Sequence, residues 1–210
     1  MIYLSSLAHP LLYAYLSEKD EITTVGPTDL VYPQISTHPD IYYCDLGNMV
    51  YKGKKEALGS QYPQDILYNA ACTGKYFIHN LKYTSPALLE IATAMNMVLI
   101  NVKQGYTKCN TVIVDERSVI ISDEGMARAL GEAGLDVLLV SPGFVQLPGF
   151  DYGFLGGASG RIGNEIVFNG NLEDHPNYEG IVSFIQQRGV GVKYFHDYPL
   201  TDIGSIIWEG

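Results

Sequence analysis

The sequence predicts an α/β fold, a propeller of repeated strand–strand–helix–strand units around a central cleft. The pattern occurs over residues 105–142, again over 155–197 and more loosely over 38–102. A short polar motif precedes the first strand of each copy. Repeats define the architecture of a chain, and a ring of units brings equivalent positions together. We therefore expect one domain over residues 1–210, with the polar motifs converging at its centre.

The middle copy shows the pattern most clearly. Two apolar runs, Thr111–Val114 and Val119–Ile121, are separated by a polar turn, as in two paired strands. The stretch Glu124–Glu132 then predicts a helix, Gly134 its end, and Asp136–Val140 a third strand.

The other two copies predict the same order of elements. Over 155–197 they are a strand at Glu165–Phe168, a helix near Asn177–Gln187 and a strand at Val192–Phe195. Over 38–102 they are strands at Ile41–Cys44 and Met49–Tyr51, a helix at Ser85–Ala94 and a strand at Met97–Val102.

Residues 52–84 interrupt the copy over 38–102. Their periodicity is weak, apart from β-like pieces at Ile66–Tyr68 and Tyr76–His79. A span of this kind is usually an insertion over one face, so we expect a lid or an interface here.

The two termini together predict a closing unit. The first residues suggest a strand at Ile2–Leu4, a helix at His9–Glu18 and a strand at Glu21–Val25, and the last suggest a strand at Ile203–Trp208. Pairing the last strand beside the N-terminal ones closes a ring and removes a sheet edge.

Composition limits the partners. Hydrophobic residues make up 47% of the chain and charged residues 17%, which argues for a packed core and against disorder. The net charge of -10 argues against nucleic acid and is compatible with a small cationic substrate. No apolar run reaches the roughly 18 residues of a membrane span, so no membrane partner is expected.

Three widely spaced cysteines predict neither a disulfide framework nor a zinc site, and suggest a reducing, cytoplasmic location.

Cys109 is the first candidate for chemistry. It lies just before a predicted strand, and the neighbouring Lys108 would favour the thiolate, which is the reactive form of the side chain. The alternative is a buried structural cysteine, a frequent fate of an intracellular thiol. Cys44 and Cys72 are expected to be structural.

His38 and Asp40 are the second candidates. Histidine transfers protons near neutral pH, and an acid two residues further on at a strand entrance points to the same face. Asp40 is therefore expected to orient the imidazole or to bind a cation. The alternative is a turn, because His-Pro-Asp is also a loop signature. Asp202, which precedes the last strand, is a candidate acid at the ring centre.

Four short stretches together resemble a known family. They are residues 38–47, 105–111, 154–160 and 201–205. A ring of ββαβ units opened by a Cys, a His-x-Asp and a Gly-Gly motif is similar to the pentein fold of guanidino-group-modifying enzymes. Arginine deiminases, dimethylarginine hydrolases and amidinotransferases have this fold. Within it the chain most resembles a bacterial branch with no assigned activity.

The resemblance implies a Cys-dependent hydrolase or transferase acting on a guanidino, amidino or related C–N substrate, with no metal or organic cofactor. Cys109 matches the family's nucleophile, and His38 and Asp40 match its His-x-Asp. In that scheme Cys109 attacks the planar carbon, while His38 protonates the leaving amine and then activates water. Asp40 orients the imidazole or binds the substrate cation.

Gly156 and Gly157 match the glycines of the family's Glu-Gly-Gly-Asp motif, but Leu155 and Ala158 stand where its two acids belong. Those acids help to hold the guanidinium, for which a bidentate carboxylate is the natural partner. The substrate-binding candidates are Asp202, Gly156, Gly157 and Asn110, with Asp151 and Asp45 as other acids that could replace the missing ones. This departure keeps an alternative open, a non-catalytic protein of the same fold that binds a metabolite or a protein partner.

Overall fold

The computed structural model describes residues 1–210, and its strands form five small sheets. The strands are β1 (Ile2–Ser5), β2 (Ile22–Val25), β3 (Tyr43–Asp45), β4 (Val50–Lys52), β5 (Ala71–Cys72), β6 (Tyr76–His79), β7 (Val98–Asn101), β8 (Thr111–Ile113), β9 (Ser118–Ile121), β10 (Asp136–Leu139), β11 (Ser159–Ile162), β12 (Glu165–Phe168), β13 (Gly191–Lys193) and β14 (Ile207–Trp208). The helices are α1 (Pro10–Ser17), α2 (Pro39–Tyr42), α3 (Pro86–Ala94), α4 (Thr107–Asn110), α5 (Glu124–Glu132) and α6 (Tyr178–Gln186).

Three of the sheets repeat one plan. In the sheet of β8, β9 and β10, the middle strand pairs antiparallel with β8 and parallel with β10. The sheets β11–β12–β13 and β5–β6–β7 pair in the same way. In each, a helix lies in the chain between the second and third strands, because parallel neighbours need a crossover connection. This is the order of elements expected over 105–142 and 155–197.

The chain termini form a fourth sheet on this plan. β1 pairs antiparallel with β14 and parallel with β2, and α1 connects β1 to β2. The last strand is shorter than the predicted Ile203–Trp208. Its first residues bend towards another unit, since the N–H groups of Ile203 and Ser205 both donate to the Gly157 carbonyl at 3.1 and 2.7 Å.

Residues 38–102 form two sheets, where the sequence predicted one interrupted unit. β3 and β4 are a two-stranded antiparallel sheet, and β5, β6 and β7 are a separate sheet. The reason is that α3 returns the chain to β6, so β7 pairs with β6 and leaves β3–β4 without a third strand. The predicted insertion 52–84 therefore contains β5 and β6. Tyr76–His79 is a strand as predicted, whereas Ile66–Tyr68 is not a strand, although Ile66 and Tyr68 are buried.

A short helix replaces the start of the strand predicted at Ile41–Cys44. Pro39 occupies the first helical position, where its fixed φ suits the helix and its missing N–H is not needed. The strand consequently begins at Tyr43.

One strand from each of the five sheets contacts its counterparts in a cyclic order. β8 contacts β11, β11 contacts β14, β14 contacts β3, β3 contacts β5, and β5 contacts β8. We call these five strands the strand ring. The residues that precede them are therefore neighbours, and they include His38, Asn69, Cys109, Gly157 and Asp202.

The hydrophobic cores lie between the sheets and the helices. Met126 and Leu130 of α5 pack with Val119 and Ile121 of β9, and equivalent clusters surround α1, α3 and α6. Amphipathic helices on small sheets thus enclose the strand ring. None of the helices is long and apolar enough to cross a membrane.

Ile121 and Leu139 are cross-strand partners, but Ile121 is fully buried whereas Leu139 is 46% exposed. We predict that Ile121→Ala lowers the free energy of unfolding by about 2–5 kcal/mol, because it leaves a cavity in the core. Leu139→Ala, the matched control, should change it by only about 0.5 kcal/mol. Urea denaturation measures both free energies. Equal losses would contradict the difference in burial between Ile121 and Leu139.

Candidate active site

Cys109 lies in α4, immediately before β8, and its side chain is buried. Its thiol donates a hydrogen bond to Asp40 Oδ2 at 3.0 Å, and its sulfur accepts one from Asn69 Nδ2 at 3.2 Å. Burial, together with the charges of Asp40 and Asp202, raises the pKa of Cys109 well above its usual value. Cys109 is therefore protonated at neutral pH. Lys108, expected to favour the thiolate, instead directs Nζ to Ser205 Oγ at 3.1 Å.

Asp40 is completely buried beneath this thiol. Its Oδ2 accepts hydrogen bonds from Cys109 and from Ser205 Oγ, the latter at 2.7 Å, while Oδ1 has no partner. Burial raises the pKa of Asp40, and the nearby His38 opposes that rise. Asp40 bonds the thiol and not the imidazole, because α2 replaces the strand alternation on which the predicted pairing rested.

Asp202 places its carboxylate beside the His38 imidazole, and this carboxylate is also hydrogen-bonded to the backbone. His38 Nδ1 lies 3.9 Å from Asp202 Oδ1 and has no hydrogen-bond partner. Burial lowers the pKa of His38, so the imidazole is neutral at neutral pH. Asp202 accepts hydrogen bonds from the N–H groups of Phe154 and Gly204, each at 2.9 Å. Burial raises the pKa of Asp202 to about 6, which leaves it ionised at neutral pH.

Cys109, His38 and Asp202 line one cavity of about 330 Å³. The other lining residues are aromatic or apolar apart from one acid, and they are Tyr32, Ile35, Tyr106, Leu147, Phe150, Asp151, Tyr152 and Phe154. Another cavity, of about 380 Å³, is lined by Asp45 and Lys108 but by neither Cys109 nor His38. We place the candidate site in the smaller cavity because the thiol, the imidazole and a carboxylate converge there.

A family model described as "Family of unknown function (DUF6873)" matches residues 45–207. The chain belongs to this family. The matched range includes Asn69, Cys109, Asp202 and Ser205, whereas His38 and Asp40 precede it. No curated protein matches the chain.

This DUF6873 chain is also similar to a solved structure, the "Crystal structure of the dimethylarginine dimethylaminohydrolase adduct with 4-chloro-2-hydroxymethylpyridine". The TM-score is 0.56 at 8% sequence identity, over 93% of this chain and 91% of that one. At such low identity the likeness shows the fold alone, a mixed α/β fold of small sheets. The similar protein is a dimethylarginine hydrolase, one of the enzyme classes named in the resemblance, so the two findings agree at the level of the fold.

Three of the substrate-binding candidates lie outside the cavity lining. A Cβ on Gly157 would lie 2.1 Å from Asp202 Oδ1, and one on Gly156 would lie 2.5 Å from the Thr111 carbonyl oxygen. Glycine at these positions allows the units to approach closely. The Asn110 side chain accepts a hydrogen bond from the Ser122 N–H at 3.3 Å.

Leu155 and Ala158, which stand where the resemblance placed two acids, are buried in the hydrophobic core. They pack in one cluster with Val112 and Phe168. An unpaired carboxylate at either position would be buried among apolar side chains at a large cost in free energy. Packing therefore accounts for their apolar character.

Sequence reasoning missed Asn69 and identified Ser205 only as part of a motif. Asn69 Oδ1 accepts hydrogen bonds from the N–H groups of Lys108 and Cys109 at 2.9 and 3.3 Å, which aims its Nδ2 at the sulfur. Ser205 has a φ of 69°, an uncommon conformation for a residue with a Cβ. Asn69 precedes β5 as Cys109 precedes β8, so dividing residues 38–102 into two units would have revealed it.

The same cluster has the donor set of a metal site. His38, Asp40 and Cys109 each place one ligand atom within 4.8 Å of the others. Nitrogen, oxygen and sulfur ligands of this kind suit Zn²⁺, which would also favour the thiolate form of Cys109.

Asp202→Asn tests the buried charge. Asp202 has a pKa of about 6 in the folded protein and 3.8 when unperturbed, so the folded state binds more protons between these values. The stability contribution of Asp202 is therefore lost as pH rises through this range. We predict that the wild type loses about 3 kcal/mol relative to the Asn variant, since one pKa unit corresponds to about 1.4 kcal/mol. Urea unfolding of both proteins at acidic and neutral pH measures it, and a pH-independent difference would contradict it.

Proposed function

We propose that this chain is a Cys-dependent pentein enzyme, a hydrolase or transferase that acts on a guanidino, amidino or related C–N group. The observation that carries the proposal is that the Cys109 thiol, the His38 imidazole and the Asp202 carboxylate line one cavity. The cyclic order of the strand ring supports a single-domain, pentein-like α/β propeller with this cavity as its central cleft. The similar hydrolase structure agrees with that fold.

A planar cation suits the charges around the thiol. Asp40 and Asp202 are both buried, and the free energy cost of burying their charge falls when a cation lies in the cavity next to Asp202. Guanidinium and amidinium groups match a carboxylate in shape and donor spacing. Asp202 would thus take the role that the resemblance gave to acids at positions 155 and 158.

Substrate binding would also activate the nucleophile. The two carboxylates raise the pKa of the Cys109 thiol, and a bound cation would oppose that effect. The proton then leaves Sγ for Asp40 Oδ2, 3.0 Å away. From there it passes to His38, which has a ring nitrogen within 4.8 Å of both the carboxylate and the thiol and forms a hydrogen bond to Asp40 only during the transfer. The thiolate, stabilised by the Asn69 N–H donor, forms an S–C bond with the planar carbon.

His38 completes the cycle by returning the proton. As an imidazolium close to Asp40 and Asp202, it protonates the leaving amine while the C–N bond breaks. The neutral imidazole next takes a proton from water, whose oxygen attacks the carbon of the covalent intermediate, a thiouronium or thioimidate bound to Cys109. The S–C bond then breaks, and the Cys109 sulfur regains a proton from His38. In a transferase an acceptor amine would replace the water.

One observation favours a second candidate, a protein of the same fold that binds a cation or a partner without catalysis. Burial and two carboxylates keep Cys109 protonated, and a protonated thiol is a poor nucleophile. The two candidates differ in whether a cationic electrophile makes this thiol react.

2-Chloroacetamidine carries an amidinium cation next to an electrophilic carbon, and neutral 2-chloroacetamide is its matched control. We predict that the amidine labels Cys109 selectively over Cys44 and Cys72, with a preference over the amide about tenfold greater than a free thiol shows. The preference should disappear in Asp202→Asn, and labelling should slow in His38→Ala. Peptide mass spectrometry over a range of pH measures the rates. Cys109 labelling no faster than that of a free thiol would instead favour the non-catalytic candidate.

Asn69→Ala tests the hydrogen bond to the sulfur. A hydrogen bond to a charged group is worth about 1.5 kcal/mol, so we predict that the pH midpoint of Cys109 labelling rises by about one unit. Asn110→Ala is the control, because Asn110 is equally buried but bonds Ser122 outside the cavity. It should leave the midpoint unchanged even if it lowers stability. An equal shift in both variants would indicate a general structural effect.

A further inference from the structure

The wall of the site cavity presents neither lysine nor arginine to a ligand. Its only histidine, His38, is buried at the base of the cavity. The charged groups are Asp202 at the base and Asp151 on an exposed loop, within a chain of net charge -10. Proteins commonly hold carboxylates with Arg or Lys, so a ligand carboxylate would meet two acidic side chains and neither of these cations here.

Two of the three tyrosine hydroxyls of the wall, those of Tyr32 and Tyr106, are already engaged in hydrogen bonds within the protein. Tyr106 donates to Asp65 Oδ2 at 2.5 Å, and the Tyr32 hydroxyl lies 2.7 Å from the Tyr106 hydroxyl. Since Tyr106 gives its proton to Asp65, Tyr32 is the donor in the second bond. Neither hydroxyl retains a hydrogen for a ligand carboxylate.

The entrance to the cavity is aromatic. Phe150 and Tyr152 are 47% and 43% exposed, and both come from a loop rich in glycine. The Phe150 ring packs against Tyr32, with 5.8 Å between centroids, and the Tyr152 ring packs edge-on against Phe154 at 6.5 Å. Exposed aromatic side chains around a cavity recognise an apolar group or a cation by contact with their faces.

We infer that the substrate is an N-substituted guanidine or amidine whose substituent is apolar and carries no carboxylate, and not a free guanidino amino acid. The inference rests on the proposed function, because it takes the cationic group to lie at Cys109 and Asp202. The substituent then extends past Tyr32 and Tyr106 to Phe150 and Tyr152, where burial of apolar surface supplies affinity.

Three ligands with the same four-carbon chain test this inference: butylguanidine, 4-aminobutylguanidine and 4-guanidinobutanoate. Each is measured for protection of Cys109 against 2-chloroacetamidine. We expect butylguanidine to protect best and the carboxylate to protect at a concentration at least about tenfold higher. Asp151→Lys should narrow that gap by improving protection by the carboxylate.

Aromatic substitutions test the entrance. Phe150→Ala should weaken protection by butylguanidine about threefold to tenfold, because apolar contact area is lost. Phe144→Ala is the control, since Phe144 is an aromatic residue of similar exposure, 49%, outside the cavity lining. It should have no effect.

The failures of the two proposals are distinguishable. If 2-chloroacetamidine labels Cys109 selectively but 4-guanidinobutanoate protects as well as butylguanidine, the substrate class is wrong and the proposed function stands. Selective labelling with no protection by any of the three ligands overturns the substrate class in the same way. If the amidine shows no preference for Cys109, the proposed function fails and the inference fails with it.

Discussion

A closed cycle of hydrogen bonds holds the five units together, and it runs through the residues that precede the strands of the strand ring. The Gly157 N–H donates to the Cys109 carbonyl at 2.7 Å, the Ser205 N–H to the Gly157 carbonyl at 2.7 Å, and the Asp40 N–H to the Gly204 carbonyl at 3.1 Å. Asn69 closes the cycle: its Nδ2 donates to the Asp40 carbonyl at 3.3 Å, and its own carbonyl accepts from the Lys108 N–H at 3.1 Å. Each bond joins two neighbouring units. Buried backbone groups need such partners. The cycle therefore fixes the backbone positions from which the side chains of the site extend.

The cycle satisfies the backbone and leaves particular side-chain atoms unsatisfied. His38 Nδ1 and Asp40 Oδ1 are two of only four buried side-chain nitrogen or oxygen atoms without a hydrogen-bond partner. Unpaired buried polar atoms cost free energy, and native proteins concentrate them where a ligand or reaction uses them. Both atoms belong to the His38–Asp40 motif, next to the thiol. The free energy cost of leaving them unpaired therefore falls on the residues to which the proposed function assigns proton transfer.

Local patterns predicted the elements well where each unit is regular. The helix Glu124–Glu132 and the strand Glu165–Phe168 occur with the predicted bounds, because apolar periodicity and a terminating glycine are local properties. The pattern failed over 38–102, since β3 and β4 have no helix and third strand to mark the end of their unit. Asn69 was missed for that reason. That Asp40 would bond Cys109 could not be deduced either, because the cross-ring contacts that decide it join residues far apart in the chain.

Lys108 is adjacent to Cys109 in the sequence but does not contact its thiol. Its ammonium group does not approach the neighbouring thiol but donates to Ser205 Oγ, which donates to the same Asp40 oxygen that accepts the Cys109 proton. The ammonium group is therefore linked to the nucleophile only indirectly, through Ser205 and Asp40. Lys108 also lines the other cavity, on the far side of this chain of hydrogen bonds. The thiol is thus connected to both cavities, to one through its own surface and to the other through Asp40, Ser205 and Lys108.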